Sequence, residues 1–330
     1  TLSFTNDDSG YDNCKIIYEA FFGEVPVFDG GISVSGSEFK RVTNEKVLSL
    51  CYNNVRNKIY AAEFGSEQTD KLKNLASVQP YYDGSLMQIA RWPNIGYSKT
   101  GKIIRNGNGT DGIEFTAAEE KIKQWQKAKY AYVFGFWVWE WDADRHLVTK
   151  IDVDNQSIGT MTKPRYVPIA EGKDYYIYNL IEELDSQNEF YFDKDSGILY
   201  LIPYDTDLKE DTFKNVSVQI PVINQPILSL NNAENLEFKN IVFENSNNAL
   251  ISVLDSKNCA FRGCTARNAG DTGIEVKGNV TKNVTVDSCD VYKTGSYGIS
   301  INNVGDKQNL ISADVLVTNC KIYDTSITYR

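Results

Sequence analysis

The chain has 330 residues, with 34 Lys and Arg against 44 Asp and Glu for a formal net charge of −10, and it is 42% hydrophobic and 24% charged. That is the balance of a folded protein, and no run of about 18 apolar residues is present to span a membrane. An acidic chain without clustered Lys and Arg is a poor match to a nucleic-acid backbone, so neutral or cationic partners fit better. The length allows two ordinary domains or one elongated domain carrying an insertion. The first residues, Thr1-Leu-Ser-Phe, contain neither an initiator Met nor a charged-then-apolar leader, and read as the start of a mature product or a trimmed fragment.

In chain order, residues 1–43 hold short β segments, Lys15-Ile-Ile-Tyr-Glu-Ala and Pro26-Val-Phe-Asp-Gly-Gly-Ile-Ser-Val, separated by Gly and Pro turn signals. Residues 44–222 carry no repeat. One helix is expected there, where Thr116 and Glu119 form a capping box ahead of Ile122, Trp125 and Tyr130. Otherwise this region reads as strands: Tyr175-Tyr-Ile-Tyr, then Glu189-Phe-Tyr-Phe and Gly197-Ile-Leu-Tyr-Leu-Ile-Pro joined by the turn Asp193-Lys-Asp-Ser. The expectation is a β-rich insertion, sandwich- or barrel-like, within a longer repetitive domain.

Residues 223–330 are that repetitive domain. Segments beginning at Asn235, Asn258, Asn283 and Asp314 align with one another at intervals of 23, 25 and 31 residues, the period of a β-solenoid in which each turn is one rung. Alternation points Leu236/Phe238, Cys259/Phe261, Val284/Val286 and Val315/Val317 inward. After a kink at Asn240, Gly263, Ser288 and Asn319, a second strand points Ile241/Phe243, Cys264/Ala266, Cys289/Val291 and Cys320/Ile322 inward. A third strand supplies Ile251/Val253, Ile274/Val276 and Ile299/Ile301. The predicted fold is therefore all-β: a parallel β-helix with three strands per rung, right-handed by the crossover rule.

Outward columns place Lys239, Arg262 and Asp287 together, Glu244 beside Arg267, and Asn245 beside Asn268 at a turn. Cys264, Cys289 and Cys320 share a column with Ile241, which marks them as a buried thiol ladder rather than disulfides. The single His146 and the lack of a Cys-x-x-Cys pair speak against zinc.

The string from Asn179 to Pro203 resembles bacterial right-handed parallel β-helix proteins of the carbohydrate-active enzyme type. It is preceded, in the order found in those proteins, by Glu24-Val-Pro-Val-Phe-Asp-Gly-Gly, by Ile89-Ala-Arg-Trp-Pro-Asn94 and by Phe136-Trp-Val-Trp-Glu-Trp-Asp-Ala-Asp144. The resemblance spans nearly the whole chain and includes glycoside hydrolases of α-L-fucosidase and xylanase-type families. It implies a secreted or cell-surface protein, and further β-helix before and after the residues present. A stack stopping at Asp324 would leave an open edge, to be covered by the remainder of its own β-helix or by a partner chain.

Glycoside hydrolysis needs two carboxyls, about 5 Å apart for retention and about 6.5–9.5 Å for inversion. Asp271 and Glu275 flank the turn Thr272-Gly273 within one rung, where the glycine leaves room for a ligand. Asp306, in the long turn of the 31-residue rung, and Asp324, in the last rung, are further candidates. For substrate binding, alternation would put Trp137, Trp139 and Trp141 on one strand face as a sugar platform, and Arg91 with Trp92 could anchor an acidic sugar. The bland reading makes the Trp set a core face, and 20 Tyr and 15 Phe suit β-rich cores as well as sugar contacts, so aromatic content does not decide between them. No cofactor is implied. Calcium stays open, but Asp7, Asp8 and Asp12 lack a calcium-loop spacing. The expectation is part of a glycoside hydrolase acting on a polysaccharide through Asp/Glu acid–base catalysis. The alternatives are a non-catalytic glycan-binding or adhesin module, and a polysaccharide lyase on the same fold.

Overall fold

The computed structural model describes residues 1–11, 14–73, 81–82, 85–86, 88–89, 95–117, 120–203 and 214–327. They form two compact units, one of Thr1–Val34, Gln79–Leu86 and Val218–Arg330, the other of Ser35–Val78 and Met87–Ser217.

The first unit is built from three parallel five-stranded sheets. One stacks Leu2–Phe4, Leu228–Asn231, Ile251–Leu254, Ile274–Lys277 and Ile299–Asn302. The second stacks Ile16–Glu19, Leu236–Lys239, Ala260–Arg262, Thr285–Asp287 and Leu316–Thr318. The third stacks Val27–Asp29, Val242–Ser246, Thr265–Ala269, Asp290–Thr294 and Lys321–Tyr323. Three strands per rung thus follow the inward columns read from the repeat: Phe238 pairs with Phe261, Phe261 with Val286, Ala266 with Val291 and Ile274 with Ile299. The strand Leu228–Asn231 was not anticipated; it adds Leu228 and Leu230, both fully buried, to the interior.

Every rung turns its corners with left-handed backbone. Asn235, Asn258, Asn283 and Asp314 have φ between 51° and 58°, and Asn240, Gly263, Ser288 and Asn319 between 53° and 61°. Ordinary L residues resist this region, whereas Asn, Asp and Gly enter it at little cost. The Asn side chains then bond from rung to rung, Asn283 Nδ2 donating to Asn258 Oδ1 at 2.8 Å and Asn268 Nδ2 to Asn245 Oδ1 at 3.1 Å.

Outside the corners, Arg262 lies 2.6 Å from Asp287 and 3.2 Å from Glu237, and Arg267 lies 2.5 Å from Glu244. Glu237, 3.5 Å from Lys239 as well, separates the like charges of Lys239 and Arg262 on adjacent rungs. Inside, Cys264, Cys289 and Cys320 are free thiols in the Ile241 column. Their Sγ atoms donate weakly to the carbonyls of Phe238, Phe261 and Val286 at 3.4–3.6 Å. Cys259 is 1% exposed, and burial pushes its thiol up to about 11.

The second unit contains a closed antiparallel barrel ordered Ile95–Arg105, Asp111–Ala117, Ser157–Thr160, Asp144–Asp152, Tyr132–Gly135 and Asp174–Tyr178. Alternation along Asp111–Ala117 turns Ile113, Phe115 and Ala117 into the barrel, where they meet Val133, Ile158, Tyr175 and Ile177. A five-stranded sheet of Lys40–Arg41, Tyr60–Glu63, Ile198–Leu201, Glu189–Asp193 and Gln88–Ile89 belongs to the same unit. Its hairpin pairs Phe190 with Leu201 and Phe192 with Leu199 across the expected Asp193 turn.

Two sequence expectations are corrected here. Thr116 does not cap a helix; it pairs with Ser157 inside the barrel, so its backbone is committed to the sheet. Glu119 lies outside the described residues. The helical segment is a 3₁₀ stretch, Glu120–Lys127, that buries Ile122 and Trp125, while Tyr130 lies beyond it at φ 58° and 38% exposed. Short α-helices at Glu45–Leu48 and Ser66–Lys73 were not foreseen.

A β-branched residue cannot take the corner backbone. Replacing Asn258 (φ 54°) by Val should cost about 1–3 kcal/mol more than replacing it by Gly, read as denaturant midpoints at unchanged slope. Equal midpoints would show that the corner geometry is not what limits stability.

Candidate functional site

The residues expected to carry chemistry fall at separate places. In the solenoid, Glu275 points outward from Ile274–Lys277, between Ser252 and Ser300 on the adjacent rungs. Its Oε2 lies 2.6 Å from Lys277 Nζ and accepts a hydrogen bond from Ser252 Oγ at 3.3 Å. Asp271 is exposed, and its Oδ1 accepts from Thr272 Oγ1 at 3.3 Å. The glycine between them opens no space for a ligand. Gly273 is buried, and a Cβ there would collide with Val291 and sit 2.6 Å from the Gly298 carbonyl, so the next rung is what requires glycine.

Asp306 organises its own turn, accepting from the backbone of Gln308 at 2.8 Å and of Asn309 at 3.0 Å and from Asn309 Nδ2 at 2.6 Å. The Asn309 donors hold its carboxyl below the usual range. Asp324 sits at a corner, with φ 48°, and its carbonyl accepts from Thr294 N at 3.2 Å. Asp8 accepts from Thr5 N at 2.9 Å, and among the described residues no group of three or more His, Cys, Asp or Glu side chains is placed to hold a metal ion. Arg91, Trp92 and Asp12 lie outside the described residues.

The tryptophan segment is the exception, because here exposed aromatic rings do come together. Residues 136–143 form a loop between the strands Tyr132–Gly135 and Asp144–Asp152, not a strand, so the three indoles do not share a face by alternation. Trp137 turns into the barrel, 2% exposed, against Phe115 and His146. Trp139 and Trp141 turn out, 51% and 69% exposed, with rings nearly parallel at 11° and centroids 6.3 Å apart. Tyr166 stands edge-on to Trp141 at 5.7 Å. Glu140 pairs with Lys173 at 2.7 Å, and that hydrogen bond holds its carboxyl below the usual range.

The platform is anchored from below. Asp144 accepts through Oδ2 from the backbone N–H of Arg165 at 3.3 Å, and its Oδ1 lies 2.8 Å from His146 Nε2. Buried His146 reaches Thr162 Oγ1 through Nδ1 at 2.8 Å. One carboxylate and one imidazole thereby tie residues 162–166 to the strand that follows the Trp loop.

The known proteins agree on the scaffold. Residues 209–328 match the model of a "Right handed beta helix region". A solved structure described as "Glycoside hydrolase" superposes with a TM-score of 0.69 at 14% identity, covering 99% of this chain and 64% of that one. The solenoid is a right-handed parallel β-helix. The chain spans about two-thirds of the length of that neighbour, and at 14% identity the likeness concerns the fold. A second structure, "Gp54 tailspike of Acinetobacter baumannii bacteriophage AP22 in complex with A. baumannii capsular saccharide", aligns over 69% of this chain and 45% of that one at 9% identity, with a TM-score of 0.17 that reflects no shared overall fold. No curated protein is significantly similar in sequence.

Apart from the β-helix, the second unit buries two carboxyls for which the sequence carried no signal. Glu183 accepts from Trp125 Nε1 at 2.6 Å and lies 3.0 Å from Lys121. Burial pushes its pKa up against those partners. Glu189 is 1% exposed; Oε2 accepts from the backbone of Asp185 at 2.7 Å and Ser186 at 2.9 Å, while Oε1 has no hydrogen-bond partner. Burial pushes its pKa up from the ordinary 4.5 to about 8, against the two N–H donors.

The folded state therefore keeps a proton that the unfolded chain releases. That stability is present in full below pH 4.5 and is lost as pH rises toward 8, with a limiting slope of about 1.4 kcal/mol per pH unit. Glu189→Gln should flatten this decline in denaturation series between pH 5 and 8. A decline of the same slope in the variant would remove Glu189 as its source.

Proposed function

We propose that this is a carbohydrate-active β-helix protein, part of a glycoside hydrolase, that holds a polysaccharide chain on the aromatic platform of its barrel unit. One observation carries the reading: two nearly parallel indoles, Trp139 and Trp141, more than half exposed, on a loop whose neighbouring strand and facing segment are pinned by Asp144 and His146. Exposing two tryptophans forgoes burial worth about 1.5–3 kcal/mol for each large apolar side chain, a cost that a ligand's apolar ring face would offset. Pyranose rings present such faces. The name of the structural neighbour, a glycoside hydrolase, supports the same substrate class. A polysaccharide substrate also suits a secreted or cell-surface protein.

For the reaction we propose hydrolysis by an Asp/Glu acid–base pair, with Asp271 and Glu275 as the pair within this chain. Asp271 is exposed, and Glu275, four residues further along the same rung, is half-buried beside the Lys277 ammonium. A second reading, a glycan-binding module without hydrolysis, draws on the remaining candidates: Asp306 and Asp324 both serve turns.

Trp139→Ala and Trp141→Ala should each weaken oligosaccharide binding by about 1–2 kcal/mol, measured by calorimetry, with the denaturation midpoint unchanged. Unchanged affinity in both variants would sink the platform. In digestion of a broad glycan panel, Asp271→Asn and Glu275→Gln should each lower turnover about 10²–10⁴-fold. Binding without any cleavage by the parent chain would favour the second reading.

A further inference from the structure

Beside the platform stands a cation that no described residue neutralises. Arg165 is exposed, and its guanidinium carbon lies 6.0 Å from the centroid of the Tyr166 ring, the ring that meets Trp141 edge-on. Among the described residues no hydrogen bond or ion pair engages that guanidinium; only its backbone N–H is used, by Asp144. Several other cations of the unit are paired with acids. Lys102, Arg105, Lys121, Lys129, Lys150, Lys163 and Lys173 each sit within 3.4 Å of a carboxylate. The nearby acids are already answered, Glu140 by Lys173 and Asp144 by His146 and the Arg165 backbone, with Asp142 left to oppose an anion.

We propose that the platform selects a carboxylated sugar, the pyranose ring lying on Trp139 and Trp141 while Arg165 receives the carboxylate through its two-pronged fork. The proposal rests on the glycan-binding reading of the platform and names its substrate class. Arginine suits the task because its planar donors match two carboxylate oxygens, and because a guanidinium lying against an aromatic ring is positioned before the ligand arrives. The side chain makes no hydrogen bond or ion pair among the described residues, and its ring contact is with Tyr166. The Asp144 contact depends on the Arg165 backbone alone.

The test is calorimetric titration of the full chain with oligogalacturonate, oligomannuronate and glucuronate-bearing xylo-oligosaccharides. Each is compared with its carboxyl-reduced counterpart and with a sulfated neutral oligosaccharide. The expected result is that at least one carboxylated ligand binds about tenfold or more tightly than its reduced form. Arg165→Ala should erase that preference, with a loss of about 10–100-fold on the acidic ligand and none on the reduced one. Arg165→Lys should restore only part of it. Equal affinity for acidic and reduced ligands, both lost in Trp139→Ala, would overturn the carboxylate assignment while leaving the platform standing. Preference for the sulfated ligand alone would likewise overturn it. Binding to none of these ligands, or binding indifferent to both Trp139→Ala and Trp141→Ala, would overturn the platform and the selection together.

Discussion

The β-helix depends on the ability of its corners to adopt left-handed backbone. A strand of three to five residues must stop, turn onto the next sheet and start again in register. Each turn fixes one residue at a positive φ, near +55° everywhere except Gly278 at 103°, that most L side chains resist. Four columns meet this demand: Asn232/Asp255/Gly278/Asn303, Asn235/Asn258/Asn283/Asp314, Asn240/Gly263/Ser288/Asn319 and Asn245/Asn268/Lys293/Asp324. With the corners fixed, the same atoms of successive rungs come opposite one another. Phe238 can then stack on Phe261 at 5.6 Å, and the thiols of Cys264, Cys289 and Cys320 can share one column. A one-residue slip at any corner would turn an entire inward column to solvent. Register and core are one constraint seen from two sides.

This also explains where many of the acids go. Asp255, Asp314 and Asp324 occupy corner positions, and Glu237, Glu244 and Asp287 complete ion pairs between rungs. A carboxylate in a solenoid is thus more often an answer to backbone geometry or to a neighbouring cation than a reagent. An acid that stands outside both roles is the informative one, and by that criterion exposed Asp271 differs from Asp306 and Asp324.

How much of this could be read in the sequence follows from the range of the forces involved. The solenoid was legible because its signal is local and repeated: alternation of Leu236/Phe238 with Cys259/Phe261 is visible in one line of residues, and the kink column fell on positions that do take positive φ. The barrel was legible only as a set of strands, since its closure pairs residues such as Ile95 and Tyr176 that no local pattern connects. The tryptophans show the limit most clearly. Period-two reasoning presumes a strand, yet residues 136–143 form a loop, where Trp137 is turned inward by packing against Phe115 and His146 while Trp139 and Trp141 turn out. Trp139 and Trp141 were singled out, but the Tyr166 and Arg165 that complete their surroundings come from a segment with no motif of its own. Thr116 failed for the converse reason: its capping pattern was sound in isolation, and pairing with Ser157 overrode it.

A net charge of −10 opposes the approach of an acidic ligand, but the quantity that matters is the potential within a screening length of about 8 Å at physiological salt. Within the platform the carboxylates of Glu140 and Asp144 are already satisfied by donors on this chain, so their fields are partly cancelled at short range. With no hydrogen-bond or ion-pair partner among the described residues, the Arg165 guanidinium keeps its donors for whatever approaches. It is held beside a tyrosine ring, and the backbone of its own residue is fixed by Asp144. Global charge therefore governs encounter from a distance, while the local pairing pattern governs what is retained. In this protein the two point in opposite directions, and the local pattern is the one built into the fold.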